Sequence, residues 1–348
     1  MVTIIKKGYS YGDLILKPEY STIKSRAKVD FKTKITRNYT LSMPLIASDM
    51  STICESEMAI AFGEIGGIGV IHRFLPIQKQ VEEVEKVKEK NLLCAAAVGV
   101  KDYKKRVPAL IESGLEILVI DIAHGHSKQA KETLKWIKKN YSNYPVDVMV
   151  GNIATANAAR EFCNRGADAV KVGIGPGSMC TTRIMTGYGV PQMTAIMDCY
   201  TQTSGRIPLC ADGGITVPGD VVKAIGAGAN TVMIGYVIAG TNETPGKIIR
   251  KEGKEYKEYM GMASYDATIK RHHLDGKKAD NLSLHVEGEK TLVECRGPVK
   301  QILTKYLQGL ASGMSYGGAK NIEDICGKAE FIEISSAGMK ESIAHGII

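Results

Sequence analysis

The sequence is poor in large aromatic rings, paired cysteines and long apolar runs, and each shortage argues against a class of protein. One tryptophan and five phenylalanines in 348 residues, with lysines spread along the chain, offer little for the stacked bases and basic patches of nucleic-acid binding. The eight cysteines include no CxxC pair, which argues against a zinc site and against a disulfide framework. No run of 18 apolar residues occurs, so no segment is predicted to span a membrane.

The N-terminus and the overall charge give only broad expectations. The first ten residues, MVTIIKKGYS, are too short and too mixed for a secretory signal. We therefore expect a cytoplasmic protein with reduced thiols and with neither a nucleic-acid nor a membrane partner. The net charge of +8 suits an anionic substrate, although many solvated lysines produce the same balance.

Short apolar runs recur along the first two thirds of the chain, and each ends in small or polar residues. Nearly continuous apolar runs are typical of strands buried on both faces, as in a parallel sheet. The runs are PLIASDM (44–50), GIGVIH (67–72), LLCAAAVGV (92–100), EILVIDIAHG (116–125), DVMVGNIAT (147–155), AVKVGIG (169–175), IPLCADGGI (207–215) and TVMIGY (231–236). Between most of them lie helical patterns, such as residues 76–90 with an apolar stripe of Ile77, Val81 and Val84.

Eight strands that alternate with helices predict an α/β fold, a single (β/α)8 TIM barrel over residues 1–348, although an open doubly wound sheet would share much of the pattern. Polar residues favour the barrel, because five of them fall at or just after the carboxyl ends of their strands. In a barrel these ends converge on the face where active sites lie. The five residues are Asp49, Asp121, Asn152, Ser178 and Asp212.

Residues 241–296 interrupt this alternation. The segment is charged and punctuated by glycine, and its beginning predicts a hairpin that turns at Glu252 and Gly253. The remainder has little apolar content before Val286, and long irregular segments of this kind are usually functional lids or disordered. We expect an irregular hairpin and mobile flap inserted between the eighth strand and an eighth helix in VKQILTKYLQGLASGM.

The run GIGPGSMCTTR (173–183) places a lone thiol behind a glycine-rich turn. It lacks the glycine spacing of a Rossmann dinucleotide site and carries a proline. A thiolate in such a loop can attack an electron-poor carbon, whereas a lone cysteine is more often a small core residue. The hydroxyls of Ser178, Thr181 and Thr182 favour the functional interpretation of Cys180. In ADGGI (211–215), the glycines would let backbone N–H groups approach an anion, or would only form a tight turn.

These motifs resemble the inosine monophosphate dehydrogenase and guanosine monophosphate reductase family of purine nucleotide enzymes. The similarity runs from YGDLILKPEYSTIKSR to AEFIEISSAGMKES, nearly the whole chain, and VKVGIGPGSMCTTR is highly specific to the family. Supporting motifs are DIAHGHS (121–127), GNIAT (151–155), ADGGI, YMGMAS (259–264), RGPV (296–299) and GMSYGGAKNI (313–322).

The resemblance implies roles for individual residues. Cys180 would attack C2 of a purine nucleotide to form a covalent thioimidate, and Thr182 and Glu287 would transfer a proton. The positions that match the family's substrate site are Ser48, Ser178, Asp212, Gly214, Gly235, Tyr259, Gly261 and Met262. The positions that match its cofactor site are Asp121, Ala123, Asn152 and Gly173. Carbonyls at Gly175, Gly177 and Cys180 would hold a potassium ion, and the enzyme would be a homotetramer.

The flap region distinguishes the two branches of the family. Dehydrogenases, which oxidise inosine monophosphate (IMP) with NAD, activate water with an Arg-Tyr pair on the flap. This sequence has no Arg-Tyr dipeptide, and its TIKRHHLDGKK is closer to the Lys-Arg-His of reductases. The resemblance therefore favours an NADPH-dependent guanosine monophosphate (GMP) reductase. The alternatives are an IMP dehydrogenase and, less favoured, a non-catalytic purine nucleotide sensor.

Several features bear on this choice. GGIGVIH and SSAGMKES look more like dehydrogenases, whereas the CBS regulatory domains of many dehydrogenases are absent, since only one helical pattern separates the second and third strands. Asp49 and Tyr236 depart from the usual residues at their positions, which are Pro or Asn and Ser or Gly. Four basic residues would meet the 2′-phosphate of NADPH, or would only form a solvated charge run. They are Lys270, Arg271, Lys277 and Lys278.

Overall fold

The computed structural model describes residues 7–274 and 286–344. Strands β4 to β11 close into a parallel barrel in which β11 pairs with β4, and they coincide with the eight apolar runs, so the predicted barrel is confirmed. The strands are β1 (Leu14–Leu16), β2 (Thr33–Lys34), β3 (Thr40–Leu41), β4 (Leu45–Ala47), β5 (Ile68–Ile71), β6 (Ala95–Val98), β7 (Ile117–Asp121), β8 (Asp147–Ile153), β9 (Ala169–Val172), β10 (Leu209–Asp212), β11 (Thr231–Ile234), β12 (Ile249–Lys251), β13 (Lys254–Met260), β14 (Lys290–Glu294) and β15 (Phe331–Glu333).

The barrel strands are apolar throughout because they are buried on both faces. In β6, Ala95 and Ala97 belong to the cluster inside the barrel, while Ala96 and Val98 belong to the layer between barrel and helices. Ile35, directly after β2, and Leu41, in β3, join the interior cluster. The N–H of Arg37, in the turn between β2 and β3, donates to the carbonyl of Asp168, the residue before β9. The amino-terminal end of the barrel is therefore covered, and the chemistry must lie at the carboxyl end.

The helices surround the barrel and leave their charged faces outward, as in α2, which buries Val81, Val84 and Val87. Ser127 and Thr155 accept hydrogen bonds from the first turns of α4 and α5, which explains where these helices begin. No helix in the described ranges is long and apolar enough to cross a membrane. The helices are α1 (Ser56–Glu64), α2 (Ile77–Lys88), α3 (Tyr103–Glu112), α4 (Lys128–Asn140), α5 (Ala156–Asn164), α6 (Thr182–Thr186), α7 (Gln192–Thr203), α8 (Pro218–Gly226), α9 (Tyr265–Leu274), α10 (Val299–Tyr316), α11 (Ile322–Ile325) and α12 (Ser336–Glu341).

The insertion between β11 and α10 is more regular than expected. The hairpin β12–β13 turns at Glu252 and Gly253, whose positive φ angles of 52° and 77° are those of a two-residue hairpin turn. The expected irregularity of the remainder is wrong for β14, which adds a third antiparallel strand, and for α9. Backbone hydrogen bonds to β13 stabilise β14 despite its charged sequence. The predicted mobile flap falls partly on residues 275–285, which lie outside the described residues.

Candidate active site

The carboxyl ends of the barrel strands surround a cavity of about 210 Å³. All the site residues predicted from the sequence line this cavity except Gly214 and Gly235. Those that line it are Ser48, Asp121, Ala123, Asn152, Gly173, Gly175, Gly177, Ser178, Cys180, Thr182, Asp212, Tyr259, Gly261, Met262 and Glu287. The structure thus brings together residues from five of the eight strand ends, those of β4, β7, β8, β9 and β10, and from the insertion.

The two exceptions lie just behind the cavity wall. A Cβ atom on Gly235 would come within 3.3 Å of the Tyr259 hydroxyl, so this glycine supports a residue that lines the cavity. Gly214 faces a separate cavity of about 510 Å³, where a Cβ would lie 3.3 Å from the ring of Tyr11. The side chain of Pro176 separates Gly214 from the site.

A chain of hydrogen bonds links the thiol to a carboxylate. Cys180 Sγ donates to Thr182 Oγ1 at 3.1 Å, and Thr182 Oγ1 donates to Glu287 Oε2 at 2.8 Å. Cys180 belongs to the loop after β9, whereas Glu287 comes from the insertion. The arrangement gives the thiol proton a route to a carboxylate, which is the chemistry that an activated sulfur nucleophile requires.

The other cysteines contrast with Cys180. Burial raises the pKa of Cys210 to about 12 and raises the pKa values of Cys54, Cys94 and Cys199 as well. A buried thiol with a raised pKa is a poor nucleophile. Among the described cysteines, only Cys180 lines the site cavity.

The segment around Glu287 is attached directly to the cysteine loop. The Thr181 N–H donates to the Glu287 carbonyl and the Glu289 N–H donates to the Met179 carbonyl, each at 2.9 Å. The Gly261 N–H donates to the Glu289 carbonyl at 2.9 Å, so the strand β13 is included in the same network. A Cβ on Gly261 would lie 3.0 Å from the Met179 carbonyl oxygen. These bonds position the carboxylate of Glu287 against the hydroxyl of Thr182.

Gly173 explains why the loop after β9 starts with glycine. Its φ of +155° is outside the range that residues with a Cβ adopt readily. A Cβ at this position would overlap the carbonyl oxygen of Asp212. The glycine therefore allows the backbone of the loop to pass against the end of β10, which brings the cysteine loop beside Asp212.

Hydroxyl groups mark another part of the cavity. Ser178 Oγ lies 3.2 Å from Tyr259 Oη, and burial raises the pKa of Tyr259 to about 12, so the phenol is a neutral donor at physiological pH. Tyr236 packs on the ring of Tyr259 with 5.6 Å between centroids. Neutral donors together with the backbone of glycine loops are suited to an anionic group of a ligand.

A buried lysine that the sequence reasoning missed lies at the floor of the cavity. Lys171 is 2% exposed, and its Nζ is 3.0 Å from Asp212 Oδ2, 3.1 Å from Asp121 Oδ1 and 3.6 Å from Asp49 Oδ1. Burial alone would lower the pKa of Lys171, but the carboxylates of Asp212, Asp49 and Asp121 outweigh it and hold that pKa above its usual value. The sequence did contain a signal for this cluster, because Lys171 interrupts the apolar run AVKVG. A lysine in a buried strand is rarely without an acidic partner, so such a partner could have been predicted.

The carboxylates around Lys171 have further partners. Asn152 Nδ2 donates to Asp212 Oδ2 at 2.8 Å, and Arg73 Nε donates to Asp121 Oδ2 at 3.4 Å. Although burial opposes it, the charges of Lys171 and Arg73 hold the pKa of Asp121 below its usual value. The sequence reasoning also missed Arg73, because this residue follows β5 without any recognisable motif.

Arg73 also lines a second, larger cleft of about 900 Å³. This basic cleft shares Arg73, Ile122 and Ala123 with the site cavity, so the two are adjacent. Its lining is mainly basic, because besides Arg73 it includes Lys101, Lys104, Lys105 and the buried Arg106, against one acidic residue, Asp102. Together, the basic cleft and the site cavity suit an elongated anionic ligand that lies along the cleft and reaches into the cavity with one end.

Comparisons with known proteins show to which family the chain is similar. The model of the "IMP dehydrogenase / GMP reductase domain" matches residues 8–345. The chain is 39% identical to the inosine-5′-monophosphate dehydrogenase of Borreliella burgdorferi, over 99% of this chain and 98% of the relative. It is 31% identical to the GMP reductase of Leishmania donovani, over 99% of this chain and 98% of the relative. A solved structure of a cysteine-to-alanine variant of GMP reductase from Trypanosoma brucei, in complex with guanosine 5′-monophosphate, superposes with a TM-score of 0.91, at 31% identity and over 99% of both chains.

Proposed function

Because the chain belongs to the IMP dehydrogenase / GMP reductase family of oxidoreductases, we propose that it is a GMP reductase, which converts GMP, NADPH and a proton to IMP, ammonia and NADP⁺. The observation that carries this choice is the lack of an Arg-Tyr dipeptide in the sequence, while the hydrogen bonds from Cys180 through Thr182 to Glu287 support the covalent chemistry that both branches share. Reductive deamination needs a group that protonates the departing amine. The carboxylate of Glu287, at the end of these hydrogen bonds, can be that group.

The first half-reaction uses only this chain's residues and the nucleotide. The proton of Cys180 passes through Thr182 to Glu287, and the sulfur attacks C2 of the purine. Glu287 then returns the proton to the C2 amine, the C–N bond breaks, and ammonia leaves. The product is the thioimidate, in which C2 is bonded to the sulfur of Cys180. Atoms balance because the thiol proton departs with the ammonia.

The nucleotide would lie across the cavity from the hydroxyl pair to the thiol. Ser178 and Tyr259 would donate to the 5′-phosphate, with Gly214 and Gly235 supporting that wall. Asp212 would bind the ribose, while Ser48, Gly261 and Met262 would surround the rest of the nucleotide. The order phosphate, sugar and base along this path would bring C2 beside Cys180.

NADPH, when bound, supplies the hydride that C2 accepts after ammonia has left, and NAD would have the reverse role in a dehydrogenase. Asp121, Ala123, Asn152 and Gly173 line the cavity and would hold the nicotinamide end, and Ala123 also lines the basic cleft. The space and positive charge of the basic cleft fit the remainder of a dinucleotide. The candidate 2′-phosphate ligands Lys277 and Lys278 lie outside the described residues, as do the side chains of Lys270 and Arg271.

A potassium ion would be held by the carbonyl oxygens of Gly175, Gly177 and Cys180, which are donors of the kind that replace the hydration shell of this ion. A Cβ at Gly177 would meet only Cys180, at 3.5 Å, so the loop leaves room for an approaching ion. In the described part of the chain no cluster of His, Cys, Asp and Glu is suited to a metal ion. The ion would fix the shape of the loop.

A homotetramer is proposed as well. Ile184, Met185 and Tyr188, in α6 and directly after it, are 83%, 62% and 80% exposed. Such a group of apolar side chains is typical of a surface that another subunit covers. A cytoplasmic location stays a prediction.

The second candidate is an IMP dehydrogenase, which converts IMP, NAD and water to xanthosine monophosphate and NADH. It is favoured by the identity to dehydrogenases of Borreliella burgdorferi and Cryptosporidium parvum, 39% and 38%, against 31% for the Leishmania reductase. Absorbance of reduced nicotinamide distinguishes the two functions. GMP with NADPH should give a falling signal, and IMP with NAD should give no sustained rise. A sustained rise in the second mixture alone would establish the dehydrogenase instead.

A further inference from the structure

One carboxyl oxygen at the site has no partner. Asp49 is 3% exposed and lines the site cavity. Its Oδ1 lies 3.6 Å from Lys171 Nζ, whereas its Oδ2 is buried without a hydrogen-bond partner among the described residues. Leaving such an oxygen unpaired costs free energy, so an oxygen that lines a ligand cavity is a candidate contact for the ligand.

The surroundings of Asp49 define which part of a ligand it can reach. Asp49, just after β4, and Asp212, at the end of β10, contact the same ammonium group, and only β11 lies between these two strands in the barrel. Asp212 is the residue assigned to the ribose of the nucleotide. The neighbour Met50 contacts the Tyr259 hydroxyl with its sulfur at 3.8 Å, so the chain next to Asp49 adjoins the proposed phosphate end. Asp49 therefore lies where a sugar would lie.

We propose that Asp49 is a specificity-determining residue of the nucleotide site, and that its Oδ2 pairs with one hydroxyl of the ribose, which makes the enzyme select ribonucleotides. This inference rests on the proposed function, because it takes a purine nucleoside monophosphate as the ligand. The residue makes this contact in addition to Asp212, whose Oδ2 already accepts from Lys171 and Asn152.

The electrostatics suit a hydroxyl better than a cation. Burial and the Asp121 carboxylate raise the pKa of Asp49 to about 7, against the opposing effect of Lys171 and with a smaller contribution from Asp212. Both forms of the carboxyl are therefore present near neutral pH. A hydroxyl can donate to the carboxylate and accept from the acid, whereas a fixed cation would pair only with the charged form and would lie close to Lys171.

The test compares GMP with its 2′-deoxy and 3′-deoxy analogues. For each ligand, Kd is measured by calorimetry and kcat/KM with NADPH, in the wild type, Asp49→Ala and Asp49→Asn. In the wild type each missing hydroxyl should weaken binding about 10- to 100-fold, as expected for a hydrogen bond to a charged group. In Asp49→Ala, the removal of one of the two hydroxyls should weaken binding by less than about 3-fold. The removal of the other hydroxyl should weaken binding as much as it does in the wild type. Asp49→Asn, which keeps a hydrogen-bonding group, should retain most of both penalties in affinity.

A matched control is Asp147→Asn. Asp147 is 4% exposed, but it begins β8 at the opposite end of the barrel, where it binds Asn38. This variant should keep both wild-type penalties even if its stability falls. Equal penalties in Asp49→Ala and wild type would overturn the proposal. If the wild type itself neither binds nor converts GMP, the proposed function fails instead, so the two failures are distinguishable.

Discussion

Replacing Glu287 with glutamine should separate the two half-reactions of the proposed mechanism. Glutamine has nearly the same shape and can still bond to Thr182 Oγ1, which lies 2.8 Å from Glu287 Oε2. It cannot take up a proton and return it. In the proposed mechanism Glu287 is the carboxylate that protonates the departing amine, so the variant lacks the acid for this step. The thiol of Cys180 can still lose its proton to water.

A positioned general acid typically contributes 10²–10⁴-fold to a rate. We expect Glu287→Gln to slow ammonia release from GMP by about that factor. Hydride transfer reaches the same thioimidate from IMP and NADP⁺ without any amine. That step should slow by less than about 10-fold, because glutamine preserves the bond to Thr182 and only the loss of the thiol proton is affected.

Rapid mixing measures both steps, with ammonia release followed from GMP and the appearance of NADPH followed from IMP and NADP⁺. The control is Glu294→Gln, since Glu294 is an exposed residue of the same inserted sheet whose carboxylate, among the described residues, forms an ion pair with Lys254 alone. It should leave both steps unchanged. Equal slowing of the two steps in Glu287→Gln would refute the assignment of Glu287 as the group that protonates the amine.

Three further predictions concern the nucleophile, the glycine loop and the charged floor. Cys180→Ala should abolish turnover but keep GMP affinity within a few fold by calorimetry, and near-normal turnover would exclude covalent catalysis. Gly173→Ala should lower the free energy of unfolding by at least about 2 kcal/mol, since the new Cβ overlaps the Asp212 carbonyl. Gly166→Ala, at a φ of +83° with no atom within 4 Å, should lose only about 1 kcal/mol, and similar melting temperatures for both would contradict this reading. Finally, the carboxyl of Asp49 has a pKa of about 7 in the folded protein, whereas in the unfolded chain a carboxyl of this kind has a pKa near 4. The contribution of Asp49 to the free energy of unfolding should therefore fall as the pH rises from 4 to 7. The melting temperature of Asp49→Asn relative to wild type should therefore rise from pH 4 to pH 7 and stay constant above, and a flat difference would show that Asp49 ionises normally.

The barrel could be predicted because burial on both faces leaves a direct trace in the sequence. Runs such as LLCAAAVGV have no polar alternation, and Ala95 to Val98 are all buried. Strand β14 left no such trace, since it is stabilised by hydrogen bonds to β13 and most of its side chains are exposed. Helix α9 likewise lies in a segment whose charges resemble those of a loop.

The site was predictable where it follows a motif and not where it depends on packing. The motif around Cys180 indicated the thiol, but the bond from Thr182 to Glu287 joins residues 105 positions apart. Lys171 lies within the motif VKVGIGPGSMCTTR, but its role is visible only once three strands bring Asp49, Asp121 and Asp212 around it. The sequence also could not show on which side of the glycine loop Gly214 lies.

The most direct test of the central claim is to find the bond between sulfur and purine. Wild-type enzyme that is turning over GMP and NADPH, and enzyme mixed with IMP and NADP⁺, are quenched in acid, digested and analysed by mass spectrometry. The peptide that contains Cys180 should carry the added mass of the purine nucleotide in both mixtures. A nucleotide on another cysteine, or on none while turnover proceeds, would contradict it.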